Sequence, residues 1–130
     1  MSFKFSKKSL EKLNHTKLHP ELKKLMLEAI KNSPVDFSIL ETVRTIEQQK
    51  INVAKGVSKT MRSKHIPSIN KSGMCEAVDV APYPINWHDI NRFIKLANHI
   101  KNTAKILKIE VAYGGDWKSF KDYPHWELKS

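Results

Sequence analysis

The chain has 130 residues and a mass of 15.0 kDa, a size that predicts one compact domain without a second, separate binding module. Its 40% hydrophobic and 28% charged residues are typical of a globular protein, and its one cysteine excludes an intrachain disulfide and a multi-thiolate metal cluster. Lysine and arginine outnumber aspartate and glutamate by 23 to 13, so the net charge of +10 favours polyanionic partners such as nucleic acid or anionic lipid.

The first half of the chain predicts two helices, a strand and a third helix. A short helix is expected near Ser6, and a longer one begins at Pro20, where proline suits the first helical position. Apolar residues then alternate over 37–43, which predicts a strand that carries Arg44. The helix predicted over 45–55 is expected to turn three apolar residues towards the core: Ile46, Val53 and Val57.

The second half predicts two strands around the longest helix, then a final strand. The polar residues 58–75 predict an extended connection. Residues 76–80 predict a strand whose Asp79 faces away from the core. Asn86 is expected to cap a helix whose apolar stripe comprises Trp87, Ile90, Phe93, Ile94, Ala97, Ile100, Ala104 and Leu107. Strands over 109–113 and 124–128 complete an α+β fold, in which three or four helices pack on a small, mostly antiparallel sheet.

Three possible metal ligands lie on polar faces or at the ends of these elements: His65, Asp79 and His125. Two imidazoles and one carboxylate leave a coordination position open on zinc, the arrangement used in hydrolytic sites. Asp122, three residues before His125, is a candidate general base. Glu127 is a rival base on the same face of the last strand, but it lies further along the strand, so Asp122 is favoured.

The residues around these ligands resemble a known family. Ser63-x-His65, Ala77-Val78-Asp79 and Asp122-x-x-His125-Trp126-Glu127-Leu128 are similar to the zinc motif of the LAS metallopeptidases, which have an α+β fold. This family includes VanY-like D-alanyl-D-alanine carboxypeptidases and dipeptidases, and phage endolysins that act as L-alanyl-D-glutamate peptidases. The run 113–125 and the aspartate at 122, where the carboxypeptidases commonly have glutamate, resemble the endolysin branch in particular.

The resemblance implies roles for individual residues. It implies one zinc ion per chain held by His65, Asp79 and His125, with Asp122 as the catalytic acid and base. It also implies that Arg44 binds substrate or stabilises the developing oxyanion and that Ser63 contacts substrate. Trp117, beside two glycines, is expected to form a wall of the substrate groove. The loop 66–76 is longer than in the carboxypeptidase motif and is expected to bulge away from the ligands.

These observations predict a single catalytic domain over residues 1–130, with no cell-wall-binding module. The predicted function is zinc-dependent hydrolysis of the L-alanyl-D-glutamate bond in peptidoglycan stem peptides by a phage endolysin. A D-alanyl-D-alanine carboxypeptidase or dipeptidase is the alternative, and a basic nucleic-acid-binding module is a distant one. The expected enzyme is a monomer without a signal peptide or membrane span. It would remain in the host cytoplasm until a holin opens the membrane, and its basic surface would then hold it near the anionic cell envelope.

Overall fold

The computed structural model describes residues 3–57 and 62–129, and this part of the chain forms four helices and four strands. The helices are α1 (Lys7–Leu13), α2 (Pro20–Lys31), α3 (Ile46–Ala54) and α4 (Ile90–Leu107), and the strands are β1 (Phe37–Glu41), β2 (Ala77–Pro82), β3 (Val111–Tyr113) and β4 (His125–Leu128). The predicted α+β architecture is confirmed. No helix of the described part combines the length and apolarity needed to cross a bilayer.

The four strands form one antiparallel sheet in the order β1-β2-β4-β3. Within it, Val78 pairs with Trp126, and the next pair in register is Asp79 with His125. Because side chains alternate along a strand, Val78, Trp126 and Leu128 are buried on the helix-covered face. Asp79, His125 and Glu127 share the opposite face, as the alternation in the sequence predicts.

The core lies between the sheet and the two longest helices. Helices α2 and α4 pack against each other, and α4 also packs on β2 and β3. The helix that begins at Pro20, as predicted, has a buried stripe that consists of Leu22, Leu25, Met26, Ala29 and Ile30. The buried stripe of α4 consists of Phe93, Leu96, Ala97, Ile100 and Ala104. Spacing near 3.6 residues therefore located α2 and most of α4 correctly.

The start of α4 differs from the prediction. Asp89, not Asn86, caps the helix, because its carboxylate accepts a backbone N–H from the first turn. The side chain of Asn86 instead accepts the backbone N–H of His88 at 3.0 Å, which closes a tight turn just before the helix. As a result Trp87 lies before the helix and is 55% exposed, and Ile94 is 44% exposed rather than part of the core.

Strand β1 is shorter than predicted. It ends at Glu41, and an irregularity in its pairing with β2 falls between Ile39 and Glu41. The prediction that the strand itself carries Arg44 is therefore wrong, since Arg44 lies in the segment between β1 and α3. The pairing irregularity breaks the side-chain alternation and lets the chain turn away from the sheet edge.

The buried face of α3 is also not the predicted one. Ile46 is 41% exposed and Val57 is 72% exposed, whereas Val53 is half-buried. The residue of α3 that is buried is polar Gln49, with no exposed surface. The helix does end close to its predicted boundary, at Ala54, and Gly56 two residues later has a positive φ of 75°.

The connection predicted over 58–75 falls partly outside the described residues, at 58–61. Its described part contains a 3₁₀ turn at Pro67–Ile69 and is organised by Asn70, whose side-chain amide donates to the carbonyl oxygens of Lys64 at 3.0 Å and Met74 at 2.8 Å. The middle of this loop is exposed. Its two ends therefore stay together while the extra residues turn to solvent.

Candidate metal centre and active site

Three potential ligands meet on the polar face of the sheet. His65 follows the segment 62–64, Asp79 lies in β2, and His125 begins β4 directly opposite Asp79. The Oδ1 atom of Asp79 lies 3.2 Å from Nε2 of His65 and 3.0 Å from Nδ1 of His125. The three ligand atoms lie within 4.8 Å of one another, a spacing that one metal ion can span.

The second nitrogen of each imidazole is also engaged. Nδ1 of His65 lies 2.6 Å from the carbonyl oxygen of Thr42, and Nε2 of His125 lies 2.8 Å from Oε1 of Glu127. An acceptor at one ring nitrogen holds a proton there and leaves the other nitrogen for a metal. The two nitrogens that face Asp79 are therefore those that would ligate, and the donor set of two nitrogens and one oxygen fits zinc.

Electrostatics couple the three ligands. Burial lowers the pKa of His65, but hydrogen bonding and the charge of Asp79 outweigh burial and raise this pKa to about 10. Burial and the charge of His65 lower the pKa of His125, but its hydrogen bonds to Asp79 and Glu127 and the charge of Asp79 outweigh them and raise this pKa to about 9. Burial raises the pKa of Asp79, but hydrogen bonds from both histidines outweigh it and leave this pKa well below its usual range. A divalent cation would take the place of protons that the carboxylate now holds on the two rings.

The ligands form one wall of a cleft of about 390 Å³. The sequence-predicted site residues all border this cleft: Arg44, Ser63, His65, Asp79, Trp117, Asp122 and His125. The ring of Trp117 lies 5.3 Å from that of His125, as expected for a residue in the cleft wall. A larger cavity of about 810 Å³ lies beside α1 and α2 but contains no histidine or aspartate, so the smaller cleft is the candidate active site.

Asp122 is brought to the cleft by the loop between β3 and β4. Its backbone N–H donates to the carbonyl oxygen of Gly114 at 3.1 Å, and its own carbonyl oxygen accepts from the N–H of His125 at 3.1 Å. A Cβ at position 114 would lie 3.0 Å from that of His125 and 3.1 Å from that of Asp122, and closer still to the Asp122 carbonyl oxygen. Only glycine allows this approach.

The environment of the Asp122 carboxyl suits proton transfer. Partial burial and the nearby charge of Asp79 raise its pKa, although His125, His65 and Arg44 act in the opposite direction. Within residues 3–57 and 62–129 its carboxyl makes no hydrogen bond. The rival carboxylate, Glu127, instead contacts His125 through one oxygen and Lys64 through the other.

Arg44 is held at the cleft by its neighbours. Its guanidinium makes a two-point contact with Glu41 at the end of β1, with an Nε to Oε2 distance of 3.1 Å. Its Nη1 donates to Oε1 of buried Gln49 at 2.7 Å and to Oγ of Ser63 at 3.3 Å. These contacts explain why α3 buries a glutamine. The sequence did not predict that Glu41 and Gln49 hold Arg44, or that Gly114 lies close to Asp122. No local sequence pattern indicates these contacts.

Comparison with known proteins places the chain in a family. The sequence profile described as phage L-alanyl-D-glutamate peptidase matches residues 1–129. The chain belongs to this family. The resemblance to the endolysin branch is thereby confirmed.

Two relatives are phage proteins and one is a solved bacterial structure. The L-alanyl-D-glutamate peptidase of Escherichia phage T5 is 37% identical over 135 residues, covering 99% of this chain and 91% of that protein. The peptidase of the same name from Listeria phage A118 is 31% identical over 103 residues, which cover 79% of this chain but only 34% of the longer phage protein. The crystal structure of the Serratia marcescens L-Ala D-Glu endopeptidase ChiX matches with a TM-score of 0.82 and 32% identity, covering 99% of this chain and 90% of that one.

Proposed function

We propose that this member of the family is a zinc-dependent hydrolase that cleaves the L-alanyl-D-glutamate bond in the stem peptides of peptidoglycan. The convergence of His65, Asp79 and His125 within 4.8 Å, in the wall of a cleft that also holds Asp122 and Arg44, carries this proposal. The phage relatives are L-alanyl-D-glutamate peptidases and the Serratia relative is an L-Ala D-Glu endopeptidase, which supports the choice of this bond. Comparable clefts that combine a metal site, an acid or base and a fixed cation are typical of peptide hydrolysis.

His65, Asp79 and His125 would hold one zinc ion per chain. Bound zinc supplies Lewis-acid activation of water and of the scissile carbonyl. Two neutral imidazoles and one carboxylate leave the site with a net positive charge and an open position. The hydrogen bonds from the rings to Thr42 and Glu127 orient both ligands before the ion arrives.

Asp122 would act as the general base and then as the general acid. Its carboxylate takes a proton from the attacking water and delivers it to the leaving amine of D-glutamate. A carboxyl group with a raised pKa, no competing hydrogen bond among the described residues and a position beside the ligands is suited to both steps.

Arg44, Ser63 and Trp117 would contact the substrate. The fixed guanidinium of Arg44 can bind a carboxylate of the stem peptide or stabilise negative charge that develops on the carbonyl oxygen. The hydroxyl of Ser63 lies beside this guanidinium, since its Oγ accepts a hydrogen bond from Arg44. The 37% exposed ring of Trp117 provides an apolar wall.

The charge distribution suggests how the enzyme reaches its substrate. Residues 1–64 carry 14 basic and 6 acidic side chains, whereas residues 65–130 carry 9 and 7. We infer that the basic half holds a monomeric enzyme near the anionic cell envelope. Action on the wall of the host, after a holin or similar protein has opened the membrane, completes the proposed role in lysis.

The decisive experiment is product analysis with purified peptidoglycan. The zinc-loaded protein should release peptides with new amino termini on glutamate, and removal of the metal with a chelator should stop the release until zinc is restored. Release of free D-alanine would instead identify a carboxypeptidase. The absence of any released product from the zinc-loaded protein would reject the proposal.

A further inference from the structure

Glu127 lies two residues after His125 on the same face of β4, and its carboxylate contacts the ring of that histidine on the side away from Asp79. Resting on the proposed zinc site, we propose that Glu127, held by Lys64, is a positioning residue that fixes which ring nitrogen of His125 faces the metal. Glu127 accepts the hydrogen bond from Nε2–H at 2.8 Å, so the lone pair of Nδ1 points to the ion.

The two histidines are held in different ways. A backbone carbonyl, that of Thr42, receives Nδ1–H of His65, so His65 presents Nε2. A side chain, that of Glu127, receives Nε2–H of His125, so His125 presents Nδ1. Only the second arrangement depends on a side chain that substitution can remove. The preference of His125 for one nitrogen is therefore expected to depend on Glu127.

Lys64 holds the carboxylate of Glu127 in place. Its Nζ donates to the carbonyl oxygen of Leu128 at 2.6 Å and lies 3.4 Å from Oε2 of Glu127. The backbone carbonyl of Lys64 also accepts from Glu76 at 2.9 Å. Lys64 thus joins the segment that carries His65 to the strand that carries His125. An ammonium group at this point also neutralises the buried side of Glu127.

The contacts of Glu127 argue against its use as a base. One carboxylate oxygen accepts a hydrogen bond from His125 and the other faces Lys64. To transfer a proton in the reaction, Glu127 would have to break both contacts. Only 22% of its side chain is exposed. A positioning role and a catalytic role predict different behaviour, because only the former affects the binding of zinc.

The test compares zinc affinity, measured by competition with a chromophoric chelator, among the wild type, Glu127→Gln and Lys64→Met. Glu127→Gln should weaken zinc binding by about 10- to 100-fold, and Lys64→Met by a smaller factor in the same direction. The matched control is Glu110→Gln. Glu110 is exposed and lies just before β3, so this variant should bind zinc like the wild type. Circular dichroism establishes that each variant is folded.

A second measurement applies to the wild type alone. Nitrogen-15 NMR of the zinc-loaded protein should show that His125 carries its proton on Nε2 and ligates through Nδ1. Protonation of Nδ1 in the loaded protein would overturn the proposal, as would a zinc affinity of Glu127→Gln within twofold of the wild type. If the wild type binds no zinc or releases no peptide, the proposed function itself fails, which is a separate result.

Discussion

The close approach between Gly114 and the loop that carries Asp122 yields a quantitative prediction. In Gly114→Ala the added Cβ would lie inside contact distance of the Asp122 carbonyl oxygen and of Cβ atoms of Asp122 and His125. The Asp122 backbone must then retreat by about 1 Å, a displacement that can cost on the order of 100-fold when it affects a catalytic group. A 100-fold loss of kcat/KM corresponds to about 2.7 kcal/mol of transition-state stabilisation.

Gly114→Ala should lower zinc binding less than it lowers kcat/KM, because pairing between β2 and β4 holds Asp79 opposite His125 independently of the loop. The assay measures kcat/KM on peptidoglycan fragments and zinc content in the same preparations. Gly73→Ala is the matched control. Position 73 has a φ of 70° with open space around it, so alanine there should lower stability by about 1–2 kcal/mol and leave turnover intact. A kcat/KM of Gly114→Ala within threefold of the wild type would refute the reasoning.

Three further predictions concern the base, the arginine and pH. Asp122→Asn should retain zinc and lose about 10²- to 10⁴-fold in kcat, measured with zinc in excess. Gln49→Met, which keeps the volume of the side chain, should lower kcat/KM by roughly 10-fold because Arg44 loses a charged hydrogen bond, while zinc content stays unchanged. In the chelated protein, His65 and His125 stabilise the fold fully below their unfolded pKa of about 6.5, and this contribution disappears as pH rises through their folded values of about 9 to 10. The Tm of the chelated protein should therefore fall from pH 7 to pH 10, and zinc-loaded protein should show a smaller fall.

Specific outcomes would contradict each of these three predictions. Near-normal turnover by Asp122→Asn would show that Asp122 is not the general base and would make Glu127 the candidate for that role. Equal kcat/KM for Gln49→Met and wild type would mean that contacts with Glu41 and Ser63 suffice to place Arg44. A Tm of the chelated protein that rises between pH 7 and pH 10 would show that the histidines do not stabilise the fold as cations.

The helices and central strands could be predicted because each has a period that a short window reveals. The stripe of α2 and the alternation around Asp79 are examples, and burial follows them in the structure. The face of α3 could not be predicted in this way. Gln49 is buried because Arg44 requires an acceptor there, and that requirement comes from a residue outside the helix. Local apolar spacing therefore identified the wrong face.

The candidate site follows the same division. His65, Asp79 and His125 were identified by the flanking motif residues, and all three meet in space. The contact between Glu127 and the ring of His125 could not be deduced, although alternation put both on one face. Which nitrogen a carboxylate meets depends on rotamers and strand twist. The cap at Asp89 was missed for a related reason, since Asn86 and Asp89 both have side chains able to cap and only the path of the chain selects between them.

Because Asp79 pairs directly with His125, binding of a metal ion at this site would depend on the correct alignment of β2 with β4. These residues are 46 positions apart in sequence, and a slip of one residue between β2 and β4 would turn the imidazole to the helix-covered side. A misaligned molecule would have a scattered set of donors and little affinity for the cation. Where zinc is scarce, correctly aligned copies would therefore capture it first, and the bound ion would in turn hold them in that alignment.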